Sequence, residues 1–276
     1  MNISLDCNSI FRQLALILVL LMSIPTVGFA QRPGEFQRGG PERSGREAAP
    51  IDLTGYWAAL ITDDWQYRMI VPAHDDFSWL PLSPEGLRVA ASWDPAADEA
   101  AGEACKAYAA PAIMRLPTRL RISWQSDDIL QVETDTGTQT RMFHFDHQPA
   151  EGERTWQGHS VATWEMENPG GRGRRVFEDA SDGNRSNAGN LLVETSHLRP
   201  GYLRKNGAPF SDQTVMSEHF NILIGRDGER YLVVQTYVDD PVYLVGHFVR
   251  TLLFKSEDNG SMWNPTRCVA DGWDVD

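Results

Sequence analysis

Alternating apolar and polar positions recur along most of the chain after residue 50 and predict β-strands. Leu120, Ile122 and Trp124 alternate with polar side chains, and every second side chain of a strand faces the same side. The runs at 130–134 and 138–145 flank an Asp-Thr-Gly turn and predict a hairpin. Similar runs lie at 53–61, 67–71, 155–165, 190–197, 215–224, 231–238 and 243–255. The pattern predicts a mainly β fold with about nine or ten strands, mostly antiparallel.

One stretch has the pattern of helices instead. Ser83-Pro84 and Asp94-Pro95 each place a capping side chain before a proline, which is the start signal of a helix. This predicts a helical insertion near 83–110. Closely spaced, turn-rich strands are typical of a closed barrel. We therefore predict a single antiparallel β-barrel domain over 51–276, with a long loop near 169–190, where Gly and Pro interrupt the alternation.

The first fifty residues differ in composition from the rest. Residues 1–30 combine a polar start, the apolar run LALILVLLM at 14–22 and a small-x-small site at 28–30, the pattern of a secretory signal peptide. Residues 31–50 are rich in Gly, Pro and charge and predict a flexible leader. We expect a secreted, periplasmic protein without a transmembrane segment after signal cleavage.

Charge and cysteine content narrow the function classes. The chain has 38 acidic and 25 basic residues, a net charge of -13, which argues against nucleic acid as a partner because that polyanion needs a basic surface. Cys105 and Cys268 are the two cysteines that follow the predicted signal peptide. In an oxidising compartment they are expected to form a disulfide, with two free thiols as the alternative.

Several polar residues lie inside strand patterns and are candidates for acid–base catalysis. His159 and Glu165 share one face of the run at 155–165, opposite Trp164. His219 and His247 lie within two later strand patterns. If such groups converge in an apolar barrel, their pKa values shift and proton transfer becomes possible. The alternative is that each faces solvent or satisfies a hydrogen bond in the core.

A basic segment at 199–207 (RPGYLRKNG) stands out in an acidic chain. Arg204 could bind a carboxylate or phosphate through two parallel hydrogen bonds, with Tyr202 beside it. The alternative is a turn whose charges pair with nearby acids. Arg121 and Trp164 complete the candidate ligand-binding residues, and Arg115 raises the same question beside the predicted helix. The histidine spacing predicts no metal site, and no cofactor is expected.

At Gly55-Tyr56-Trp57 the first strand resembles the Gly-x-Trp signature that opens a lipocalin barrel. The resemblance implies that Trp57 closes one end of the barrel and that an arginine of the last strand, here Arg250, stacks on it. The whole chain also resembles a group of uncharacterised secreted bacterial proteins. That resemblance rests on DLTGYW at 52–57, WDPAADEAAG at 93–102, RPGYLRKNG at 199–207 and WNPTRC at 263–268, and it implies no activity.

Three functions follow as hypotheses. The first is a lipocalin-like protein that binds a small, largely apolar or amphipathic molecule. The second is a cofactor-independent lyase, isomerase or hydratase that uses His and Glu as acid and base. The third is a structural or partner-binding envelope protein. Whether the protein is an enzyme stays open at this point.

Overall fold

The computed structural model describes residues 43–166, 189–226 and 228–272. The predicted signal peptide, residues 31–42 of the predicted leader and residues 169–188 of the predicted loop lie outside the described residues. Nine strands of the described chain form a closed barrel. They are β1 (Gly55–Leu60), β2 (Arg119–Ser126), β3 (Ile129–Thr134), β4 (Gln139–His144), β5 (His159–Met166), β6 (Gly189–Ser196), β9 (Val215–Ile224), β10 (Arg230–Asp239) and β11 (Phe248–Glu257). A separate hairpin pairs β7 (Gly201–Tyr202) with β8 (Pro209–Phe210).

Around the barrel the strand order is β1-β2-β3-β4-β5-β6-β9-β10-β11, and β11 pairs with β1. Eight of the nine neighbouring pairs are antiparallel, and β4 pairs with β5 in parallel over two positions, Phe143 opposite Ser160 and His144 opposite Val161. An odd number of strands cannot alternate in direction all the way round, so one parallel pair is needed for closure. The predicted antiparallel barrel with a helical insertion is confirmed.

Alternate side chains of every strand point inward and fill the barrel. Leu120 and Ile122 of β2 are buried, as their alternation predicted, and Phe143, Phe220 and Phe254 are fully buried beside them. These residues belong to one continuous core with Trp57 of β1. Burial of this much apolar surface is the main stabilisation of the fold.

The helical insertion contains four short α-helices and one 3-10 helix: α1 (Trp65–Arg68), α2 (Pro84–Ala90), α3 (Pro95–Ala100), the 3-10 helix Ala104–Tyr108 and α4 (Ala110–Ile113). The two predicted start signals are present, because Ser83 Oγ accepts a hydrogen bond from Gly86 N at 3.0 Å and Asp94 caps α3 in the same way. The strand predicted at 67–71 is wrong. The edges of β1 are already paired with β2 and β11, so a further strand has no free edge there.

The insertion covers the barrel end at which β1 finishes and β2 begins, which we call the helix end. Tyr108, Ile113 and Met114 pack into the same core as the strand side chains. A second core cluster joins the insertion to Phe210 and Phe248. Cys105 and Cys268 lie here with their sulfur atoms 1.99 Å apart, the bonding distance that the prediction required. In the part of the chain that is described, no helix is long and apolar enough to cross a membrane.

The opposite end, which we call the Trp57 end, is covered by residues 43–53. The indole Nε1 of Trp164 donates to the carbonyl of Gly45 at 2.6 Å, and Trp57 Nε1 donates to the carbonyl of Leu53 at 3.0 Å. The guanidinium over the Trp57 ring, 5.2 Å from its centroid, is that of Arg230. The expected contact with Arg250 is therefore wrong.

The strand register explains this difference. Trp57 pairs with Ser256 near the end of β11, whereas Arg250 lies near the start of that strand. Arg250 is thus at the helix end, where its guanidinium lies 4.5 Å from the ring centroid of Phe248.

Candidate functional site

Three of the four histidine and glutamate candidates for catalysis lie on the outer face of barrel strands, and His247 precedes β11 instead of lying within the strand predicted at 243–255. Ser160 and Ala162 of β5 are buried inside the barrel. Because side chains alternate along a strand, His159 and Glu165 point outward. His159 Nε2 is 2.9 Å from the carbonyl oxygen of Gln148, and its ring stacks on that of His144 at 5.0 Å. The sequence assigned His159 and Glu165 to one face correctly, but that face is the outer one.

Two of these candidates do meet. Nδ1 of His219 lies 3.4 Å from Oε2 of Glu165, and Nδ2 of Asn190 donates to the same oxygen at 2.7 Å. Both side chains are partly exposed on the outer wall, where water screens their interaction. His247 lies apart, 67% exposed and 3.6 Å from Asp239. The outer wall therefore holds one His–Glu pair without enclosure.

Inside the barrel, the buried ion pair joins Arg141 and Glu218. Arg141 Nη2 donates to Glu218 Oε2 at 2.6 Å and to Thr195 Oγ1 at 3.2 Å, and both ion-pair side chains are at most 1% exposed. Glu218 lies on the face of β9 opposite His219, and that face is the interior of the barrel. One positive and one negative charge compensate each other here, so the pair presents no excess charge to a ligand.

A second group of charges lies at the helix end. It consists of Arg68, Arg115, Arg204 and Arg250, and we call these four residues the arginine cluster. Arg68, Arg115 and Arg204 are at most 5% exposed. Together with Lys205 they line a cleft whose volume is about 10 Å³. That is room for one water-sized group, such as one oxygen of an anion.

Each arginine comes from a different element. Arg68 ends α1, and its Nε donates to the carbonyl of Arg115 at 2.9 Å. Arg204 lies in the β7–β8 turn, where Nη2 donates to the carbonyl of Ser78 at 3.0 Å. Arg250 of β11 donates from Nη2 to the carbonyl of Trp79 at 3.1 Å. Backbone carbonyls therefore position the cluster. Carboxylates pair with two of its members, since Arg68 Nη1 donates to Asp63 Oδ1 at 3.2 Å and Arg250 Nε lies 3.2 Å from Asp64 Oδ2.

Arg115 is the least satisfied member of the arginine cluster. Its Nε and Nη2 have no hydrogen-bond acceptor among the described residues. Its closest carboxylate contact is from Nη2 to Asp64 Oδ2 at 3.9 Å, and its guanidinium lies 5.1 Å from the ring centroid of Phe248. A buried donor left unpaired costs about 1–3 kcal/mol, and more when it is charged. A bound anion would remove this cost.

The pKa values of two arginines in the cluster also favour anion binding in the cleft. Burial first, and then the charges of Arg204, Arg250 and Arg68, lower the pKa of Arg115 to about 9. Burial also lowers the pKa of Arg204 to about 10, with Arg250 adding to the effect. Both groups stay protonated at neutral pH, so the cleft keeps its positive charge.

Carboxylates also act on the arginine cluster. They are Asp63, Asp64 and Asp76. These three carboxylates face four guanidinium groups, and the carboxylates of Asp271 and Glu99 act on the neighbouring Lys205. Burial lowers the pKa of Lys205 to about 8, and its Nζ donates to the hydroxyl of Tyr108 at 2.7 Å.

The four predicted ligand-binding residues are dispersed in the structure. Arg204 belongs to the arginine cluster, and Tyr202 is close in sequence but donates from its hydroxyl to Asp98 at 2.7 Å. Arg121 is on the outer wall, paired with Glu133 and lying 5.3 Å from the ring centroid of Trp263. Trp164 lies at the Trp57 end. The structure thus brings one of the four to the cleft.

Sequence reasoning missed Arg68 because its segment was assigned to a strand, and it raised Arg115 only as a possibility. No local signal joins residues 68, 115, 204 and 250, since their proximity depends on closure of the barrel. Comparisons of the chain with known protein families, with curated proteins and with solved structures found no match.

Proposed function

We propose that this protein is an exported binding protein that takes a small organic anion in the cleft of the arginine cluster. The observation that supports this most directly is Arg115, a buried guanidinium beside the cleft whose Nε and Nη2 lack an acceptor among the described residues. Carboxylates and phosphates match the planar donor geometry of arginine. The filled barrel interior favours a ligand at the helix end over one inside the barrel.

Export is part of the same proposal. The sequence pattern of residues 1–30 supports a signal peptide, and the Cys105–Cys268 pair supports an oxidising compartment. We place the protein in the periplasm.

Replacement of Arg115 by methionine tests the function. Isothermal titration calorimetry with butanoate and with inorganic phosphate is expected to detect binding of at least one of them to the unmodified protein. Arg115→Met should weaken that binding about tenfold or more, since a hydrogen bond to a charged group is worth about 1.5–3 kcal/mol. The free energy of unfolding should stay the same or rise, because the variant removes an incompletely paired buried charge.

Arg88→Met is the matched control. Arg88 is exposed on α2 and its Nε donates to Glu85 Oε2 at 2.7 Å, away from the cleft, so this variant should bind like the unmodified protein. Anion binding that survives Arg115→Met would overturn the proposal, and so would a large loss of stability without ligand, which would give Arg115 a structural role.

The second candidate is acid–base catalysis, which the contact between His219 and Glu165 supports. Efficient proton transfer benefits from a site that excludes water, and this pair is on the partly exposed outer wall. The buried positive charge of the cleft is the stronger indication, so ligand binding is the function that we favour.

A further inference from the structure

Large apolar side chains are exposed next to the arginine cluster. Trp65 is 56% exposed, Met69 and Ile70 are each 54% exposed, and Trp79 is 74% exposed. We call these four residues the apolar rim. Soluble proteins seldom expose adjacent large apolar side chains without a binding role.

The rim adjoins the cleft through contacts on both sides. Ile70 itself lines the cleft together with Arg115 and Arg204. Trp79 contributes its backbone carbonyl to Arg250, and the preceding residue, Ser78, contributes its carbonyl to Arg204. On the other side, Trp65 follows Asp64, whose carboxylate contacts Arg250 at 3.2 Å. Ile70 is therefore at the cleft itself, and Trp65 and Trp79 lie within one residue of groups that contact the arginine cluster.

Backbone conformation at the rim is unusual as well. Trp79 has a φ of 67° and Asp64 a φ of 49°. The left-handed region is sterically unfavourable for an L-residue, and for a residue as bulky as tryptophan it is an outlier. In this conformation the Trp79 ring is presented to solvent while its carbonyl faces Arg250. Such strain tends to occur at functional sites.

We propose, building on the proposed function, that the ligand is a single-chain amphiphile whose anionic head binds in the cleft and whose hydrocarbon chain lies on the apolar rim. Charge complementarity selects the head, because the buried guanidinium of Arg115 has its closest carboxylate oxygen at 3.9 Å and its Nε and Nη2 lack an acceptor among the described residues. The net charge of -13 argues against attachment to an anionic membrane surface, so the occupant is an individual molecule and not a lipid bilayer.

A chain-length series tests the proposal. Calorimetric titration with butanoate, hexanoate and octanoate should show that affinity rises with each added methylene. The expected rise is about twofold per methylene, because a rim that covers one side of the chain recovers about half of the free energy of full transfer out of water. Octan-1-ol should bind much more weakly than octanoate, because it lacks the anionic head.

Trp79→Gly is the variant that tests the rim. Glycine adopts positive φ without strain, so the fold should be retained or stabilised, and the rise in affinity from butanoate to octanoate should flatten. Leu223→Ser is the control, because Leu223 is also an exposed apolar residue, 56%, but lies on β9 near the Trp57 end. It should leave the chain-length series unchanged.

The outcomes separate the two proposals. Butanoate binding that requires Arg115 but does not strengthen with chain length would overturn the amphiphile and leave the anion site in place. Octan-1-ol binding as tight as octanoate, or chain-dependent binding that persists in Arg115→Met, would overturn the anionic head. If the true partner is a bilayer, the protein should sediment with phosphatidylglycerol vesicles and should not bind monomeric octanoate. That result would also overturn the proposal.

Discussion

Arg115 and Arg141 are both buried arginines, but their surroundings differ. Arg141 has a carboxylate partner, Glu218, at 2.6 Å, whereas Arg115 has its closest carboxylate oxygen at 3.9 Å. A compensated pair inside a core supports one arrangement of the strands around it, and loss of one partner alone is strongly destabilising. An uncompensated charge beside a cleft makes no comparable contribution to stability, which is why we assign it to ligand binding.

This difference leads to a prediction for Glu218. Glu218→Gln keeps the shape of the side chain and removes its charge, so Arg141 is left buried without a counter-ion. The free energy of unfolding, measured by urea denaturation, should fall by about 3–5 kcal/mol. Glu194→Gln, on the exposed face of β6, is the control and should change stability by less than about 0.5 kcal/mol.

A second variant makes the test specific. Combining Arg141→Met with Glu218→Leu removes both charges and should recover most of the lost stability, since apolar replacement of a buried pair is often neutral or stabilising. Equal stability of Glu218→Gln and the unmodified protein would show that the ion pair has no structural role.

At the scale of elements, the strands were predictable and the arrangement of their polar residues was not. Alternation in β2 predicted that Leu120 and Ile122 share one face, and the structure shows that this face is the interior. Arg121, predicted to bind ligand, lies on the other face. The segment at 67–71 has aromatic and β-branched residues that favour a strand locally. It forms α1 and a following turn because β1 has partners on both edges, a fact that emerges only once the barrel is closed.

The junction of β4 and β5 is the part of the fold where we expect pH to change stability. It has two paired positions, and the rings of His144 and His159 stack across it at 5.0 Å. Burial, and then the charge of His159, lower the pKa of His144, with Asp146 opposing the shift. The unfolded chain therefore binds a proton more readily than the folded one, so stability should decrease as the pH falls below about 6.5, the ordinary histidine value.

Urea denaturation at pH 7.5 and 5.5 measures this effect. His144→Gln should lose less stability than the unmodified protein between the two pH values, because the variant has no proton to take up at that position. His247→Gln, at an exposed position, should behave like the unmodified protein. Identical losses in all three proteins would contradict the assignment of the pH effect to the junction.

At the scale of the whole molecule, both ends of the barrel are covered and the basic cleft lies at one of them. Residues 43–53 cover the Trp57 end, and the helical insertion covers the helix end. The sequence was sufficient for the mainly β barrel, the insertion and the Cys105–Cys268 pair. It was insufficient for the arginine cluster, because four separate segments meet there through tertiary structure. Arg204 was found by its unusual local charge, and Arg68 had no such signal.

The most direct test of the anion site is a crystal structure of the protein grown with selenate, a phosphate-like anion whose selenium gives anomalous scattering. We expect a selenium peak at the mouth of the cleft, with one selenate oxygen inside it and within hydrogen-bonding reach of the guanidinium groups of Arg115 and Arg204. The same experiment on Arg115→Met should give no peak there. Selenate bound elsewhere on the protein, with the cleft of the unmodified chain empty at the same concentration, would contradict the account.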